Sequence, residues 1–367
     1  MFDRRLLQNF DWFFLLLILM IVGLGLINLY SATFPLGEGG QRIFYRQIYW
    51  FCIGIGVFLI TTTFDYHYLE RFAYHIYIFS LGLLIFVLLK GKVYSGSQRW
   101  ISIFCFNFQP SELAKLSSVI MLAKYLSQNH RYPYCGLREV WKAFLIVALP
   151  AFLIVQQPDL GTGLLILLLG ISIIFFLGMD LKATVVLVGS FLISSPIIWA
   201  FLRDYQKRRI ISFLFPESDP LGSGYHIIQS KIAIGAGMFL GKGFLKGTQT
   251  RLHFLPEQHT DFAFSVFAEE WGFVGSILLI SLYLILILWA IRIAKNSKES
   301  FGTLLALGII SIIFWQTAIN IAMTTGILPV VGIPLSLFSY GGSAMVTIMA
   351  GLGLIMNINM RRYMFQG

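Results

Sequence analysis

The sequence contains few charged residues, few cysteines and no internal repeat. Only 12% of its 367 residues are charged, whereas 57% are hydrophobic, and an ordinary soluble domain carries about twice that charged fraction. So few charges exclude a water-soluble surface. The three cysteines, Cys52, Cys105 and Cys135, have no ligand-like spacing, so neither a disulfide framework nor a metal site follows from them. The lack of a repeat of about 20 to 50 residues excludes solenoid folds.

Long apolar runs recur along the whole chain instead. Each contains about 18 to 25 residues, enough to cross a hydrocarbon core of about 30 Å. The pattern predicts an all-α polytopic membrane protein in which residues 1–367 form a single membrane domain. We count about ten transmembrane helices, at residues 12–31, 46–64, 72–90, 111–128, 141–157, 160–178, 181–202, 262–293, 303–325 and 336–358. The fifth and sixth could be one broken hairpin, and an even total of about eight or twelve is a better alternative than an odd one.

Lys and Arg are distributed unequally between the two sides of the membrane. With the N-terminus inside, the cytoplasmic segments hold about 13 basic residues and the short outer loops about 6. This bias predicts that both termini are cytoplasmic and that residues 203–261 form a long extracytoplasmic loop between the seventh and eighth helices. Orientation and anionic lipid headgroups then explain the net charge of +10, so we expect no nucleic acid partner.

Polar residues concentrate in three segments, residues 91–115, 156–163 and 203–270. The predicted orientation puts all three at the outer membrane face. A functional site would therefore form at that face, where polar side chains from distant parts of the chain can meet.

Residues 254–262 read Phe-Leu-Pro-Glu-Gln-His-Thr-Asp-Phe and directly precede a long apolar run. Thr260 has N-cap chemistry, which predicts that Asp261 lies in the first helical turn at the boundary of water and lipid. For an isolated Thr-Asp at a helix start, a simple cap is the better interpretation. Here the carboxylate has four polar neighbours, Glu257, His259, Glu269 and Glu270. Acids inside a membrane usually face partners or cavities, so these neighbours favour a functional role.

A second polar segment, residues 109–115, reads Gln-Pro-Ser-Glu-Leu-Ala-Lys. Pro110 marks a helix start, so Glu112 and Lys115 lie three residues apart on one helix face. One interpretation is a local ion pair that satisfies both groups. The alternative is that Lys115 and Arg99 present positive charge to a phosphate at headgroup level.

Asp159 belongs to the third segment, Gln156-Gln-Pro-Asp-Leu-Gly-Thr162, which predicts a tight turn at the outer face. The turn alone would explain the aspartate. A role in binding substrate is the alternative.

The long loop carries further polar candidates, Gln229 and Lys231, within Tyr225-His-Ile-Ile-Gln-Ser-Lys-Ile232. Residues 235–243 superficially resemble a phosphate loop but lack its first glycine and its Ser or Thr, so we reject a nucleotide site. Their composition favours a short re-entrant or interfacial helix. Residues 326–334 and 339–343 break the chain between the last two spans, and such breaks usually line a cavity.

Five segments occur in an order typical of one family. They are Ser97-Gln-Arg-Trp100, Gln109-Pro-Ser-Glu-Leu-Ala-Lys115, Gln157-Pro-Asp-Leu-Gly-Thr162, Leu255-Pro-Glu-Gln-His-Thr-Asp-Phe262 with Glu269-Glu-Trp-Gly272, and Ser339-Tyr-Gly-Gly-Ser343. Together they resemble the SEDS family of bacterial cell-wall proteins over almost the whole chain. Within the family the chain is most similar to the elongation branch, because its termini are short and Trp271 follows the acid pair. Gln258 stands where the family commonly has Arg.

The resemblance implies a ten-helix fold and a peptidoglycan glycosyltransferase that polymerises lipid II at the outer face of the cytoplasmic membrane. It implies that Asp261 is the catalytic residue, which we expect to act as the general base of an inverting reaction. The substrate-binding candidates are Arg99, Gln109, Glu112, Lys115, Asp159, Gln229, Lys231, His259, Thr260 and Ser343. Among them Lys115, Arg99 and Lys231 are the candidate cations for the leaving pyrophosphate.

The resemblance also implies partners. These are a class B penicillin-binding protein that supplies the transpeptidase, other proteins of the elongation complex, and the lipid II and undecaprenyl lipids themselves. A divalent cation, Mg²⁺ or Mn²⁺, is a candidate cofactor because phosphates recruit such ions.

Two other classes of protein compete with the enzyme. A flippase or transporter for lipid-linked precursors would also have broken helices and intramembrane acids. Transporters place their ionisable groups near the midplane, however, whereas Asp261, Glu112 and Asp159 are all predicted at the outer boundary. A scaffold that only recruits the transpeptidase would not need clustered polar residues at one face.

Overall fold

The computed structural model describes residues 8–94, 97–103, 106–129, 136–178, 180–215, 217, 222–252, 254–255 and 257–362. In chain order its α-helices are α1 Trp12–Thr33, α2 Glu38–Thr63, α3 His67–Lys90, α4 Pro110–Asn129, α5 Leu137–Gln156, α6 Leu160–Leu177, α7 Leu181–Phe201, α8 Asp204–Leu214, α9 Ser223–Ala236, α10 Thr248–Arg251, α11 Ala263–Lys295, α12 Ser300–Thr324 and α13 Gly342–Arg361. A short 3₁₀ helix, Phe34–Leu36, joins α1 to α2. Two of the cysteines, Cys105 and Cys135, lie outside the described residues.

The all-α polytopic class is confirmed. Within the described residues, eight helices are long and apolar enough to cross a membrane. They are α1, α2, α3, α5, α6, α11, α12 and α13. Helices α4 and α7 reach a comparable length, 20 and 21 residues, and the total of ten spans stays a prediction.

A small antiparallel sheet lies between α3 and α4, in the order β1 Lys92–Tyr94, β2 Ser97–Ile103 and β3 Phe106–Phe108. Strand β2 pairs with β3 through Ile101 opposite Phe108. The sequence did not predict this sheet, because its strands are too short to show a clear alternation of apolar and polar residues. Arg99 lies on strand β2 of this sheet, at one end of the helix bundle.

Helices α12 and α13 form the centre of the bundle, with 72% and 78% of their most apolar stretches buried. Close packing there depends on small residues, because glycine lets helix backbones approach each other. A Cβ added at Gly353 on α13 would lie 2.6 Å from the carbonyl oxygen of Phe58 on α2. The side chain of Asn357 then donates to the carbonyl oxygens of Thr61 and Thr62 at the end of α2, at 2.9 and 2.8 Å. Helices α2 and α13 therefore run parallel.

Several helix ends meet at one end of the bundle, which we call the site face. It comprises the C-terminal ends of α1, α3, α5 and α12 and the N-terminal ends of α2, α4, α6, α11 and α13. Contacts between these ends define it: Gln258 with Ala32, Gln47 with Gly341 and Ser343 with Gln109. The opposite face holds the other ends of the same helices.

Two predictions about the long loop are wrong. Helix α11 begins at Ala263, its N-cap is Phe262, and no side chain caps it. Thr260 instead bonds within the preceding turn, to the carbonyl oxygen of Glu257 at 3.2 Å and to its carboxylate at 3.1 Å. The expected short helix at 235–243 is also absent, because α9 ends at Ala236 and residues 237–240 form a turn. The turn begins at Gly237, where backbone atoms of Ala268 and Glu269 leave no room for a Cβ.

Candidate functional site

Asp261 lies at the site face in a turn formed by residues 257–262, immediately before α11. Its side chain is half-buried, so we describe the space in front of it as a cleft. The linker between α12 and α13 forms one wall, because a Cβ placed at Gly332 would lie 3.5 Å from Oδ2 of Asp261. Gly332 has a φ of +75°, which suits a glycine.

Three buried side-chain amides hold the turn in place. Gln258 donates to the carbonyl oxygen of Ala32 at 2.8 Å, and Asn28 donates to that of Ala263 at 2.9 Å. Asn320 on α12 donates to the carbonyl oxygen of Asp261 itself at 2.9 Å. Each of these amide nitrogens donates to a carbonyl oxygen of another element, and together the three bonds fix the position of the turn against α1 and α12. The neutral amide at position 258 therefore has a structural partner in α1.

Burial raises the pKa of Asp261 to about 6, because a charged carboxylate loses solvation in the cleft. The charges of Glu257 and Asp159 contribute to this raised pKa. Arg209 and Arg99 oppose this effect by stabilising the charged form. None of the ion pairs among the described residues includes Asp261. The carboxylate is thus close to cations but bound to none.

His259 lies next to Asp261 in the chain and packs on the linker. Its carbonyl oxygen accepts from the backbone N–H of Tyr340 at 2.9 Å, and the two rings are 5.8 Å apart. Burial lowers the pKa of His259, while Glu257 acts in the opposite direction. A neutral imidazole is the form that this environment favours.

Arg99 and Asp159 meet at the site face. Nη1 of Arg99 lies 3.6 Å from Oδ2 of Asp159, and Nη2 donates to the carbonyl oxygen of Pro158. Asp159 also caps α6, since it accepts from the backbone N–H and the hydroxyl of Thr162 at 3.1 and 3.0 Å. The turn interpretation of Asp159 is therefore correct, and the same carboxylate also orients Arg99 toward the site.

Glu112 and Lys115 form the local ion pair that their spacing allows. The distance from Nζ of Lys115 to Oε1 of Glu112 is 2.9 Å, and the two residues are only 4% and 1% exposed. Within the described part of the chain, Oε2 of Glu112 has no hydrogen-bond partner. The lysine charge is thus already neutralised by Glu112, and both groups are buried.

The remaining candidates are spread over the site face. Ser343 accepts from the backbone N–H of Gln109 at 3.3 Å and so joins α13 to α4. Lys231 is exposed on α9 and lies against Gly326, where an added Cβ would come within 2.0 Å of its Cε. Gln229 is half-buried on the same helix. Lys231 therefore lies at the turn after α12.

The acids Glu269 and Glu270 hold the preceding loop in place. Glu269 is fully buried and accepts from Nζ of Lys242 and from the backbone N–H of Thr248, both at 2.8 Å. Glu270 accepts from the hydroxyl of Ser31 on α1. From the sequence, we interpreted these two acids as support for a functional role of Asp261. Their contacts instead give them a bracing role in the loop that leads to it.

Sequence reasoning missed two residues of the site, Arg209 and Asn320. Arg209 follows Lys207 and Arg208 on α8, and such a basic run is most simply read as a solvated helix face. Asn320 lies inside an apolar span, where a lone amide gives no sign of its partner. Only the intramembrane position of Asn320 could have singled it out.

The described residues contain no cluster of three or more His, Cys, Asp or Glu side chains able to hold a metal ion. The acids of the site, Asp159 and Asp261, come from separate elements and contribute two carboxylates. A three-ligand protein site for the candidate Mg²⁺ or Mn²⁺ therefore does not fit these residues, and no chemical step below depends on a metal.

The fold and the site define a multi-pass membrane protein with a half-buried carboxylate at one end of its helix bundle. Among the described residues this carboxylate belongs to no ion pair, although two arginines act on its charge. Comparison with known proteins is consistent with that class. The model of the FtsW/RodA/SpoVE family, described as cell cycle proteins, matches residues 11–364. The chain belongs to this family.

Curated relatives are similar over nearly their full length. The chain is 42% identical to the peptidoglycan glycosyltransferase MrdB of Escherichia coli K12, covering 94% of each chain. It is 33% identical to the peptidoglycan glycosyltransferase RodA of Treponema pallidum, covering 98% of this chain and 99% of the relative.

Two solved structures share the fold. A chain of a peptidoglycan synthase complex, studied for its coordination of polymerization and crosslinking, superposes with a TM-score of 0.82 and 31% identity. The rod shape determining protein RodA of Thermus thermophilus superposes with a TM-score of 0.71 and 29% identity. Each comparison covers 96% of this chain and 98% of the other.

Proposed function

We propose that the protein is a peptidoglycan glycosyltransferase that polymerises lipid II into β-1,4 glycan strands, with Asp261 as general base. The observation that carries this proposal is the half-buried carboxylate of Asp261, which forms no ion pair within the described part of the chain. A general base works best when its pKa lies near the operating pH. The pKa of about 6 for Asp261 meets that condition.

The chemistry requires one base and one acceptor of negative charge. The lipid carrier is α-linked to the donor sugar through pyrophosphate, and the product bond is β, so a single displacement inverts the anomeric carbon. The acceptor 4-hydroxyl oxygen forms the new bond to that carbon, and its proton goes to Asp261. The bond to the pyrophosphate oxygen breaks, and the lipid pyrophosphate leaves with the electron pair. Inverting glycosidases also use a carboxylate base in this way.

Arg99 and Arg209 are the cations best placed to receive the leaving pyrophosphate. Both act on the charge of Asp261, and guanidinium groups bind phosphate oxygens in a bidentate manner. Lys115 is engaged with Glu112, and Lys231 lies against Gly326. Arg99, which also pairs with Asp159 at 3.6 Å, and the exposed Lys231 therefore remain candidate cations for the leaving pyrophosphate, and Arg209 is added to them.

The proposed setting is the cytoplasmic membrane, with both termini in the cytoplasm and the site face outside. The Lys and Arg bias of the short loops supports this orientation. A bilayer would hold donor and acceptor at one depth by their lipid tails, which reduces the entropy lost on reaching the reactive geometry. The proposed partner is a class B penicillin-binding protein, because a structural neighbour belongs to a complex that joins polymerization to crosslinking.

The test is lipid II polymerisation by the purified protein with its transpeptidase partner, followed by gel analysis of the glycan chains. Asp261→Asn keeps the shape of the side chain but removes its basicity, so the rate should fall about 10²- to 10⁴-fold. The matched control is Asp180→Asn, which changes an exposed acid at the start of α7, on the opposite face, and should leave the rate unchanged.

A wild-type rate in folded Asp261→Asn would refute the base assignment. Parallel reactions with a chelator measure any metal requirement. A flippase would move labelled lipid II across vesicles without forming glycan chains, so product length separates the two classes.

A further inference from the structure

Asn320 on α12 connects two parts of the site. It is fully buried, and its Nδ2 donates to the carbonyl oxygen of Asp261 at 2.9 Å and to that of Ile333 at 2.8 Å. Asp261 belongs to the turn before α11, and Ile333 belongs to the linker between α12 and α13. One side chain therefore joins the turn that carries the carboxylate to the wall that faces it.

The amide group suits this task because its nitrogen carries two hydrogens. Both are used here, one for each carbonyl oxygen. The reverse orientation would place Oδ1 against two carbonyl oxygens, so the geometry selects one orientation. Among the described residues Oδ1 has no hydrogen-bond partner, which means that the bonds to Asp261 and Ile333 are the ones this buried amide makes.

The second bond matters because of its position in the linker. Ile333 follows Gly332, whose backbone lies close to the carboxylate, with a Cβ position 3.5 Å from Oδ2 of Asp261. The amide of Asn320 bonds to the carbonyl oxygens of both Asp261 and Ile333. It therefore fixes the distance between the Asp261 turn and the linker that faces it. Proton transfer requires a heavy-atom distance of about 2.6 to 3.2 Å between base and hydroxyl, so a small change in this width changes the rate.

We propose that Asn320 is a positioning residue that holds Asp261 at a set distance from the linker wall, an inference that rests on the proposed role of Asp261. Asn320→Leu removes both hydrogen bonds while keeping a similar volume. Its kcat for lipid II should fall on the order of tenfold to a hundredfold, the effect of a misplacement of about 1 Å. Its KM should stay near the wild-type value, because no cation of the cleft is changed.

Two further readouts separate positioning from a general loss of structure. A looser cleft exposes Asp261 to water, so its pKa falls toward the ordinary value and the acid limb of the pH–rate profile moves to lower pH. Asn320→Asp has the same size but places oxygens against the two carbonyls, and it should lower kcat in the same way. If Asn320→Leu does not purify as a folded protein, Asn320→Asp carries the test.

The matched control is Gln316→Leu, one turn earlier on α12. Gln316 is also buried, and it accepts from the hydroxyl of Ser336 in the same linker at 2.5 Å, but its partner is not the Asp261 turn. We expect its kcat to exceed that of Asn320→Leu by about tenfold. Equal losses in the two variants would overturn the proposal, as would a wild-type kcat in either folded Asn320 variant. Asp261→Asn is measured in the same assay. A wild-type rate in that variant would refute the proposed function, whereas the results for the Asn320 variants bear only on the positioning role.

Discussion

The two ends of the helix bundle differ in whether their acidic side chains form ion pairs. At the opposite face, His67 lies between two carboxylates, with Asp65 and Glu299 each 2.6 Å from one of its ring nitrogens. Arg361 then pairs with Asp65 at 3.2 Å. At the site face, Asp261 belongs to none of the ion pairs among the described residues, although Arg99 and Arg209 act on its charge.

This difference separates structural from chemical roles. A carboxylate in a close ion pair stays ionised and holds two elements together, so it is a poor proton acceptor near neutral pH. Burial and the charge of Glu257 raise the pKa of Asp261, so this carboxylate can take up a proton near neutral pH. Arg209, which belongs to none of the ion pairs among the described residues, can receive an anion. Two ion pairs do not follow this division, because they lie at the site face: Arg99 with Asp159, and the buried pair of Glu112 and Lys115.

The largest effect is expected from that buried pair. Lys115→Met leaves the carboxylate of Glu112 buried without its partner, which should lower the free energy of unfolding by about 3 to 5 kcal/mol. The double variant Glu112→Leu/Lys115→Met removes both charges and should recover most of that loss. Thermal unfolding in detergent measures both. An unchanged midpoint with weakened lipid II binding in Lys115→Met would instead favour a phosphate-binding role for the lysine.

Arg209→Gln should have the next largest effect, this time on activity. A hydrogen bond to a charged group contributes about 1.5 to 3 kcal/mol, so kcat/KM for lipid II should fall by roughly tenfold to a hundredfold. Arg209 also lowers the pKa of Asp261, so its loss should move the acid limb of the profile to higher pH. The matched control is Arg208→Gln, since Arg208 is exposed on the same helix. Equal activity of the two variants would contradict the assignment.

Arg361→Gln tests the opposite face. Its partner Asp65 has a side chain about a third exposed, and such pairs contribute at most about 1 kcal/mol. We expect a small decrease in the unfolding midpoint and an unchanged rate of polymerisation. A large loss of catalytic rate, with the protein still folded, would show that the opposite face takes part in the reaction.

Glu257→Gln should have the smallest effect, a shift in pH dependence alone. In the wild type, Asp261 must be deprotonated to act, so kcat/KM should rise with pH through about 6. Glu257 raises the pKa of Asp261, and its removal should move that rise to lower pH without changing the plateau. A profile identical to that of the wild type would mean that Glu257 is too well solvated to matter.

Local patterns predicted the helices and the composition of the site face well. The start of α4 at Pro110 and the Glu112–Lys115 pair follow from proline chemistry and helical spacing. Predictions from local patterns were wrong where contacts with distant parts of the chain set the backbone conformation. The N-cap chemistry of Thr260 was overridden because contacts with two helices hold the turn: Gln258 of the turn donates to Ala32 on α1, and Asn320 on α12 donates to the carbonyl oxygen of Asp261.

The sequence alone determined that the chain crosses a membrane many times and that its polar segments gather at one end, because burial of apolar side chains depends on composition and period. It also singled out Asp261 as the acid to examine. Only the tertiary structure decided which cations face that acid, since electrostatic interaction depends on distance in space. Arg209 is 52 positions away in the chain yet acts on its charge, whereas the charge of Lys115 is taken up by Glu112.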